Sequence, residues 1–265
     1  MPGSEPAFDL APVESAFARH ENIAFEFSGG KDSTAALYLL RDYWSRMTVY
    51  WCAADPLPEL REYVHKVAAG LPHFVEVPGA LEAAIKEFGL PTDVIPFDCT
   101  VAAHQVGAGS GMLLQDRYSC CYRSIMVPAH RAVLESGATL IVRGQKDGDD
   151  IKGPLRSGDV EGGVELLYPI AGWSDRNVFD YLRLCGIQIP RYYAEGMSHS
   201  FDCAVCTAWV HEPRGSYLKK YYPDLFDEYR KRLAIVAGAA QVAVNNLIDE
   251  VSACAALDEG DIHGI

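Results

Sequence analysis

The sequence contains no run of eighteen or more apolar residues, the length that a helix needs to cross a bilayer, so no membrane span is expected. It is also poor in basic residues, with 23 Lys and Arg against 36 Asp and Glu and a net charge of −13. Sequence-independent binding of nucleic acid depends on basic side chains at the phosphates, so this deficit argues against it. The first residues lack the basic-then-apolar pattern of a secretory signal, which favours a cytoplasmic protein.

Eight cysteines are present, and in a reducing compartment they are not expected to form disulfides. Four of them form two short motifs: Cys120-Cys121, and Cys203-Ala204-Val205-Cys206 some eighty residues later. A CxxC turn can offer two thiolates to one metal centre, and an adjacent pair can supply two more. From spacing alone a [4Fe–4S] cluster is favoured over structural zinc, and zinc over two unrelated cysteine pairs, because adjacent cysteines bind a single ion awkwardly.

Apolar strand patterns alternate with helical patterns along most of the chain, which predicts an α/β fold with a mostly parallel, twisted sheet and helices on both faces. We divide the chain into a nucleotide-binding domain over residues 1–215, which includes the cysteine motifs, and a C-terminal helical extension over 216–265. Residues 89–119 are interpreted as irregular, and residues 145–165 as a long polar loop. The predicted strands are 23–27, 47–54, 73–79 and 138–144, and the predicted helices are 9–20, 33–43, 59–69, 81–88, 124–135, 172–186 and about 223 to the mid-250s. Ser174 is the predicted N-cap of the helix over 172–186.

The stretch SGGKDST, Ser28 to Thr34, lies where the first long strand gives way to a helix. Glycines such as Gly29 and Gly30 let backbone N–H groups approach an anion closely, and the helix N-terminus adds partial positive charge. Lys31 can reach phosphate oxygens, and the hydroxyls of Ser28, Ser33 and Thr34 are further donors. The spacing is not that of a Walker A loop. The alternative is a plain Gly-Gly turn with Ser33 as N-cap.

SGGKDST resembles the pyrophosphate-binding loop of the ATP-pyrophosphatase (PP-loop, adenine nucleotide alpha hydrolase-like) superfamily, whose members cleave ATP between the α and β phosphates and adenylylate a substrate. The resemblance implies a nucleotide site at the carboxyl end of the sheet. It implies that Lys31 and the loop hydroxyls, Ser33 among them, hold the departing pyrophosphate. Asp32 would orient the loop or a Mg²⁺ ion.

Further segments resemble the iron–sulfur-bearing APS and PAPS reductase family. CCYR and FDCAVCT are similar to its cluster-ligand motifs, LIVRGQKDGDD to its loop beside the sulfonucleotide, and WCAADPLPELREYV to its second strand, turn and helix. The resemblance covers roughly residues 22–210. It implies a [4Fe–4S] cluster on Cys120, Cys121, Cys203 and Cys206, and nucleotide contacts from Asp55, Arg143, Gly144 and Lys146.

Two departures from that family favour ATP over a sulfonucleotide as substrate. The loop keeps Lys31 and Asp32, as in superfamily members that use ATP, whereas APS and PAPS reductases generally have an altered loop. The family's nucleophilic cysteine lies in a Glu-Cys-Gly-Leu-His segment that is absent here. Cys254 is the nearest substitute, but the acidic residues that follow it would disfavour a thiolate.

Three hypotheses follow. The first is an enzyme that binds ATP with Mg²⁺, adenylylates an acceptor of unknown identity with release of pyrophosphate, and assists sulfur transfer with the cluster. The second is thiol-dependent reduction of APS or PAPS to sulfite. The third is a non-catalytic module that responds to nucleotide or redox state. Expected partners are an adenine nucleotide, a sulfur-donor or reductant protein, and a second subunit packed on the Ala/Val-rich stretch Ile235–Leu247.

Overall fold

The computed structural model of the chain describes residues 10–149 and 153–260, the last six of them by backbone alone. The strands are β1 Ile23–Glu26, β2 Met47–Ala53, β3 Phe74–Pro78, β4 Leu90–Pro91, β5 Leu114–Gln115, β6 Leu140–Arg143, β7 Val160–Glu161 and β8 Val164–Leu167. The α-helices are α1 Ala11–Arg19, α2 Lys31–Leu39, α3 Pro58–Ala68, α4 Leu81–Phe88, α5 Val101–Gln105, α6 Arg117–Cys121, α7 Val127–Glu135, α8 Asp175–Leu184, α9 Arg214–Tyr221 and α10 Pro223–Gly260. A π-helical turn covers Tyr122–Met126, and 3₁₀ turns cover Arg41–Arg46, Phe97–Cys99 and Arg191–Tyr193.

Six strands form one sheet in the order β3-β2-β1-β6-β8-β7. The first five are parallel, and the short β7 pairs antiparallel with β8. The first three residues of β1 and of β6 are apolar and buried, as expected for strands that helices cover on each side. The predicted α/β class with a mostly parallel sheet is confirmed, and the long α10 forms the C-terminal helical segment.

The strand order reverses next to β1. The chain adds β2 and β3 on one side of β1 and then returns to place β6 on its other side. In open α/β sheets, ligands bind outside the carboxyl ends of the strands at this kind of switch point. The segments that follow β1 and β6 are the SGGKDST loop and the stretch from Gly144 to Lys146, so the topology brings these two sequence motifs to the same place.

The chain divides into two compact units. The first contains the chain up to Leu81 together with Tyr122–Ala204, and it holds the whole six-stranded sheet. The second contains Glu82–Cys121 and the chain from Val205 onward. In the second unit, the two-stranded sheet of β4 and β5 lies beside a small apolar cluster in which Cys99 and Leu114 pack with Val236 of α10. The division at residue 215 stays a prediction.

Most elements agree with their sequence-based bounds to within a few residues, but two regions were predicted wrongly. The segment 89–119 was interpreted as irregular, yet it contains β4, α5, β5 and the start of α6. The segment 145–165 was interpreted as a loop, yet β7 lies in it and β8 begins in it; its residues 150–152 lie outside the described residues. These strands have two to four residues, too few for a periodicity to register.

Across the described residues, no helix is long and apolar enough to cross a membrane.

Candidate nucleotide-binding site

The SGGKDST loop is braced by its own side chains. Gly29 has φ +75°, a left-handed conformation that glycine adopts without strain, and a Cβ there would lie 2.5 Å from Val64 Cγ2. The hydroxyls of Ser28 and Ser33 lie 2.9 Å apart, and Ser33 Oγ donates to the Gly30 carbonyl at 3.1 Å. Ser33 therefore braces the loop, and its role as a phosphate donor stays a prediction.

Two loop amides already have protein acceptors. The Gly30 N–H donates to Ser28 Oγ at 3.2 Å, and the Lys31 N–H at the start of α2 donates to the Tyr193 hydroxyl at 3.0 Å. Burial raises the pKa of Tyr193 well above its ordinary value, so this hydroxyl stays neutral. Both acceptors are hydroxyl oxygens, and they lie where an anion's oxygens would meet these amides.

The Lys31 side chain enters a compact charge cluster with Lys146. Asp32 bridges the two lysines: its Oδ2 lies 2.8 Å from Lys31 Nζ and its Oδ1 lies 2.5 Å from Lys146 Nζ. Asp149 contacts Lys146 Nζ at 2.8 Å, and Asp175 Oδ1 lies 3.2 Å from both ammonium groups. The two lysine side chains are only 6% and 4% exposed, which is unusual for lysine unless it is paired. We refer to these five residues as the lysine–aspartate cluster.

Gly144 allows the end of β6 to approach the loop. A Cβ on this glycine would lie 2.5 Å from Ser33 Cα, a backbone atom of α2, so no side chain fits. Lys146 follows two residues later, and its backbone N–H donates to Asp149 Oδ2 at 2.8 Å. Although burial lowers the pKa of Lys146, its hydrogen bonds to Asp149 and Asp32 raise that pKa above the ordinary lysine value, so the side chain is a cation.

Helix α8 positions Asp175 beside the lysines. Ser174 caps the helix by accepting from the Asn177 N–H at 3.2 Å, and Asn177 Oδ1 accepts from the Ser174 N–H at 2.9 Å. This N-cap was predicted from the sequence, and it is confirmed. Asp175 is the first residue of α8, where the partial positive charge of the helix favours a carboxylate. A backbone hydrogen bond from Asp147 to Ala171, 2.8 Å long, holds the chain before α8 against the loop that carries Lys146.

Three of the predicted nucleotide-contacting residues make other contacts. Arg143 Nε lies 2.6 Å from Glu26 Oε2, its register partner across β1 and β6, so its charge is already matched. Thr34 is fully buried and accepts a hydrogen bond from the Tyr63 hydroxyl at 3.2 Å. Asp55 forms a backbone bridge with Cys203.

None of the eight cysteines, all of which fall in the described part of the chain, forms a disulfide. Cys120 and Cys121 end α6, directly before the π-helical turn. Cys203 and Cys206 flank a turn; Cys203 belongs to the first unit, and the other three belong to the second. An all-thiol donor set suits an iron–sulfur cluster, and π-helical turns are frequent at functional sites, so the donor chemistry fits the predicted group.

Within the second unit, one contact links the segments of the two cysteine motifs. The Arg117 guanidinium, three residues before Cys120, lies 4.4 Å from the ring centroid of Trp209, three residues after Cys206. Arg117 Nε also lies 3.3 Å from Asp93 Oδ1. A cation stacked on an aromatic ring and paired at its edge stabilises these segments relative to each other.

Sequence reasoning missed Asp149, Asp175 and Tyr193 as residues of the site. Asp149 follows Lys146 in a segment that had been singled out, so its acidic pattern was a usable signal. Asp175 and Tyr193 are separated from Lys31 by 144 and 162 residues, and they meet it only because α8 and the turn Arg191–Tyr193 return to the loop. Nothing local in the sequence marks them.

No protein-family model matches the chain. A segment of 137 residues, 51% of the chain, is 27% identical to an adenosine 5'-phosphosulfate reductase of Mycolicibacterium smegmatis and covers 58% of that protein. The same proportion of the chain is 26% identical to the protein of that name from Rhodococcus erythropolis and covers 55% of it. The chain thus spans little more than half the length of the curated relatives it matches.

Two solved structures resemble the fold distantly. A phosphoadenylyl-sulfate (PAPS) reductase from Candida auris, in a phosphate complex, is 16% identical with a TM-score of 0.47, over 72% of this chain and 88% of that one. An NH3-dependent NAD synthetase from Campylobacter jejuni is 11% identical with a TM-score of 0.45, over 87% of this chain and 91% of that one.

The sheet order, its reversal beside β1 and the SGGKDST loop at that reversal define an adenine nucleotide alpha hydrolase-like fold. Over about half of its length, the chain is also similar to proteins named adenosine 5'-phosphosulfate reductase.

Proposed function

We propose that the chain is an enzyme that binds the phosphate chain of an adenine nucleotide, ATP with Mg²⁺, against Lys31 and the start of α2, and that it adenylylates an acceptor. The observation that carries this proposal is the pair of buried lysines, Lys31 and Lys146, at the carboxyl ends of neighbouring parallel strands. Buried ammonium groups at a sheet switch point and a helix N-terminus are a setting for phosphate charge. The curated relatives' names support the nucleotide class.

The proposed reaction is a single displacement at the α-phosphorus of ATP. A nucleophilic atom of the acceptor attacks the α-phosphorus, the bond from that phosphorus to the bridging oxygen breaks, and pyrophosphate leaves with the electron pair. Lys31 and Lys146 would stabilise the negative charge that grows on the departing group, which is the main form of catalysis open to fixed cations. Asp32 holds both ammonium groups in place through its two oxygens, 2.8 and 2.5 Å away.

A [4Fe–4S] cluster remains part of the proposal, with Cys120, Cys121, Cys203 and Cys206 as its ligands. When bound, such a cluster would supply a centre that binds sulfur or carries an electron. Because the ligands are thiolates, the cluster also depends on these cysteines staying reduced.

Reduction of APS or PAPS is the second candidate, favoured by the printed names of the curated relatives. It requires an activated thiol, and the surroundings of Cys52 have the opposite effect. Burial raises the pKa of Cys52 to about 11, and the negative charges of Asp202 and Glu26 add to this effect. Cys99 is buried, and its sulfur lies 3.8 Å from the Asp98 carboxylate. Cys254 is exposed on α10.

The test is binding of ATP and of inorganic pyrophosphate to Lys31→Ala, measured by titration calorimetry, with release of pyrophosphate as the activity readout. Loss of a hydrogen bond to a charged group costs about 1.5–3 kcal/mol, so affinity for either ligand should fall by roughly ten- to a hundredfold. Lys66→Ala, an exposed lysine on α3, is the matched control and should bind as the unmodified chain does. Equal pyrophosphate affinity for Lys31→Ala and the unmodified chain would contradict the proposal.

The second candidate is checked with the same preparations. Sulfite released from APS in the presence of a dithiol reductant, without dependence on ATP, would favour sulfonucleotide reduction over adenylyl transfer.

A further inference from the structure

The lysine–aspartate cluster contains more negative than positive charge. Two ammonium groups, on Lys31 and Lys146, meet three carboxylates, on Asp32, Asp149 and Asp175. The cluster therefore carries one net negative charge. As it stands, it would repel the phosphate chain that the proposed function brings to Lys31, so one carboxylate has to leave before phosphate oxygens reach the ammonium groups.

The three carboxylates are not held equally. Asp32 lies 2.8 and 2.5 Å from the two ammonium groups, and its side chain is 24% exposed. Asp149 lies 2.8 Å from Lys146 Nζ, accepts a second hydrogen bond from the Lys146 backbone N–H, and is 25% exposed. Asp175 makes the two longest contacts, 3.2 Å each, and its side chain is 59% exposed. Asp175 is therefore the carboxylate that leaves most easily.

The position of the Asp175 carboxylate also matches that of a ligand. Its Oδ1 contacts both ammonium groups at once, as a bridging phosphate oxygen would. Asp175 is the first residue of α8, so its side chain can turn toward water while the helix and its Ser174 cap stay in place. A solvent-exposed ion pair contributes little, so the attraction of both ammonium groups for a multiply charged ligand exceeds it.

We propose that Asp175 is a displaceable counter-ion, which occupies the anion position between Lys31 and Lys146 and is exchanged for phosphate oxygens when a nucleotide binds. The proposal rests on the proposed function and adds a specificity-determining residue to it. A di- or triphosphate chain brings more negative charge to the two ammonium groups than the single phosphate of AMP does, so the exchange favours the longer chain over AMP.

The test compares Asp175→Asn with Asp180→Asn, an exposed aspartate on the same helix whose partners are Arg176 and Arg183. We expect Asp175→Asn to bind inorganic pyrophosphate and ATP about fivefold more tightly than the unmodified chain, and AMP with a smaller gain. Asp180→Asn should match the unmodified chain. Adenosine, which has no phosphate, is the neutral probe, and its affinity should be the same for all three proteins.

A gain in affinity is not a result that misfolding or local damage produces, and Asp175→Ala provides a second variant with the same expectation. Unchanged or weaker pyrophosphate binding by both variants would overturn the counter-ion proposal, even while Lys31-dependent binding upheld the proposed function. Tighter binding of adenosine as well would also overturn it, because the effect would then lie outside the phosphates. If the unmodified chain bound pyrophosphate with no dependence on Lys31, the proposed function would fail first, and the counter-ion proposal would fall with it.

Discussion

At the scale of single residues, the site is defined by lysine side chains that are buried and paired with carboxylates. Lysine is rarely buried unless it has partners, and Lys31 and Lys146 share Asp32 between them. Arg143 is also nearly buried, but Glu26 on the neighbouring strand neutralises it at 2.6 Å. The three cations therefore differ in role: two are held beside the loop, and the third stabilises the pairing of β1 with β6.

The pair of Glu26 and Arg143 leads to a prediction about pH. Burial raises the pKa of Glu26, but its hydrogen bond with His130 and the charge of Arg143 outweigh it and hold that pKa below the ordinary value of 4.5. A carboxyl group with a lowered folded-state pKa stabilises the fold above its unfolded-state pKa, and this stabilisation is lost as the pH falls through the folded-state pKa. The pair should therefore stabilise the protein at neutral pH, and this stabilisation should decline as the pH falls below 4.5 toward the folded-state pKa.

Glu26→Gln should lower the free energy of unfolding by about 1–3 kcal/mol at pH 7, because the buried Arg143 loses a charged partner. The difference from the unmodified chain should shrink toward zero as the pH falls below 4.5, the ordinary value for this group. Urea unfolding at a series of pH values measures both effects. Glu62→Gln, an exposed glutamate on α3, should cost little at any pH. If the free energy of unfolding of Glu26→Gln were lower than that of the unmodified chain by the same amount at pH 3 as at pH 7, this account would be contradicted.

At the scale of elements, local sequence was sufficient for the loop but not for its partners. The SGGKDST loop could be predicted because strand, glycines and helix follow one another within about fifteen residues. The Ser174 cap could be predicted for the same reason. The contact of Asp175 with Lys31 could not, since it depends on how α8 returns to the sheet. Strand β8 could not be predicted, because four residues beside a polar stretch are too few to show the apolar–polar alternation of a strand.

Gly144 provides the prediction that belongs to this scale. A methyl group there would meet the backbone of α2, with Ser33 Cα at 2.5 Å, so β6 and α2 would have to separate. Gly144→Ala should lower the free energy of unfolding by about 1–3 kcal/mol, the usual range for overpacking. It should also weaken pyrophosphate binding, because the SGGKDST loop would move away from Lys146.

Gly148→Ala is the matched control, since a Cβ at Gly148 meets no atom within 4 Å among the described residues. Urea unfolding and calorimetric titration with pyrophosphate measure the two effects. Full stability together with unchanged pyrophosphate affinity in Gly144→Ala would show that β6 and α2 do not need their close approach.

At the scale of the whole molecule, the chain combines a sheet-based unit with a second, mainly helical one. The first unit holds the complete lysine–aspartate cluster, so phosphate binding is argued from that unit alone. The cysteine motifs are distributed differently, with Cys203 in the first unit and the other three in the second. The sequence predicts the loop lysine and the four cysteines as site residues, and the metal site on these cysteines stays a prediction.

The prediction at this scale concerns metal content. If all four motif cysteines bind one [4Fe–4S] cluster, anaerobically purified protein should contain iron and sulfide equivalent to one such cluster per chain, with a brown colour. Cys120→Ser and Cys203→Ser should each lose most of it, because the cluster needs four thiolate ligands. Cys254→Ser, at an exposed position on α10, is the control and should keep the full iron and sulfide content.

Lys31→Ala should also keep its iron, because Lys31 is proposed to bind pyrophosphate and not the cluster. Full iron in Cys120→Ser would show that the ligand assignment is wrong, and one zinc per chain in place of iron would favour the structural metal site.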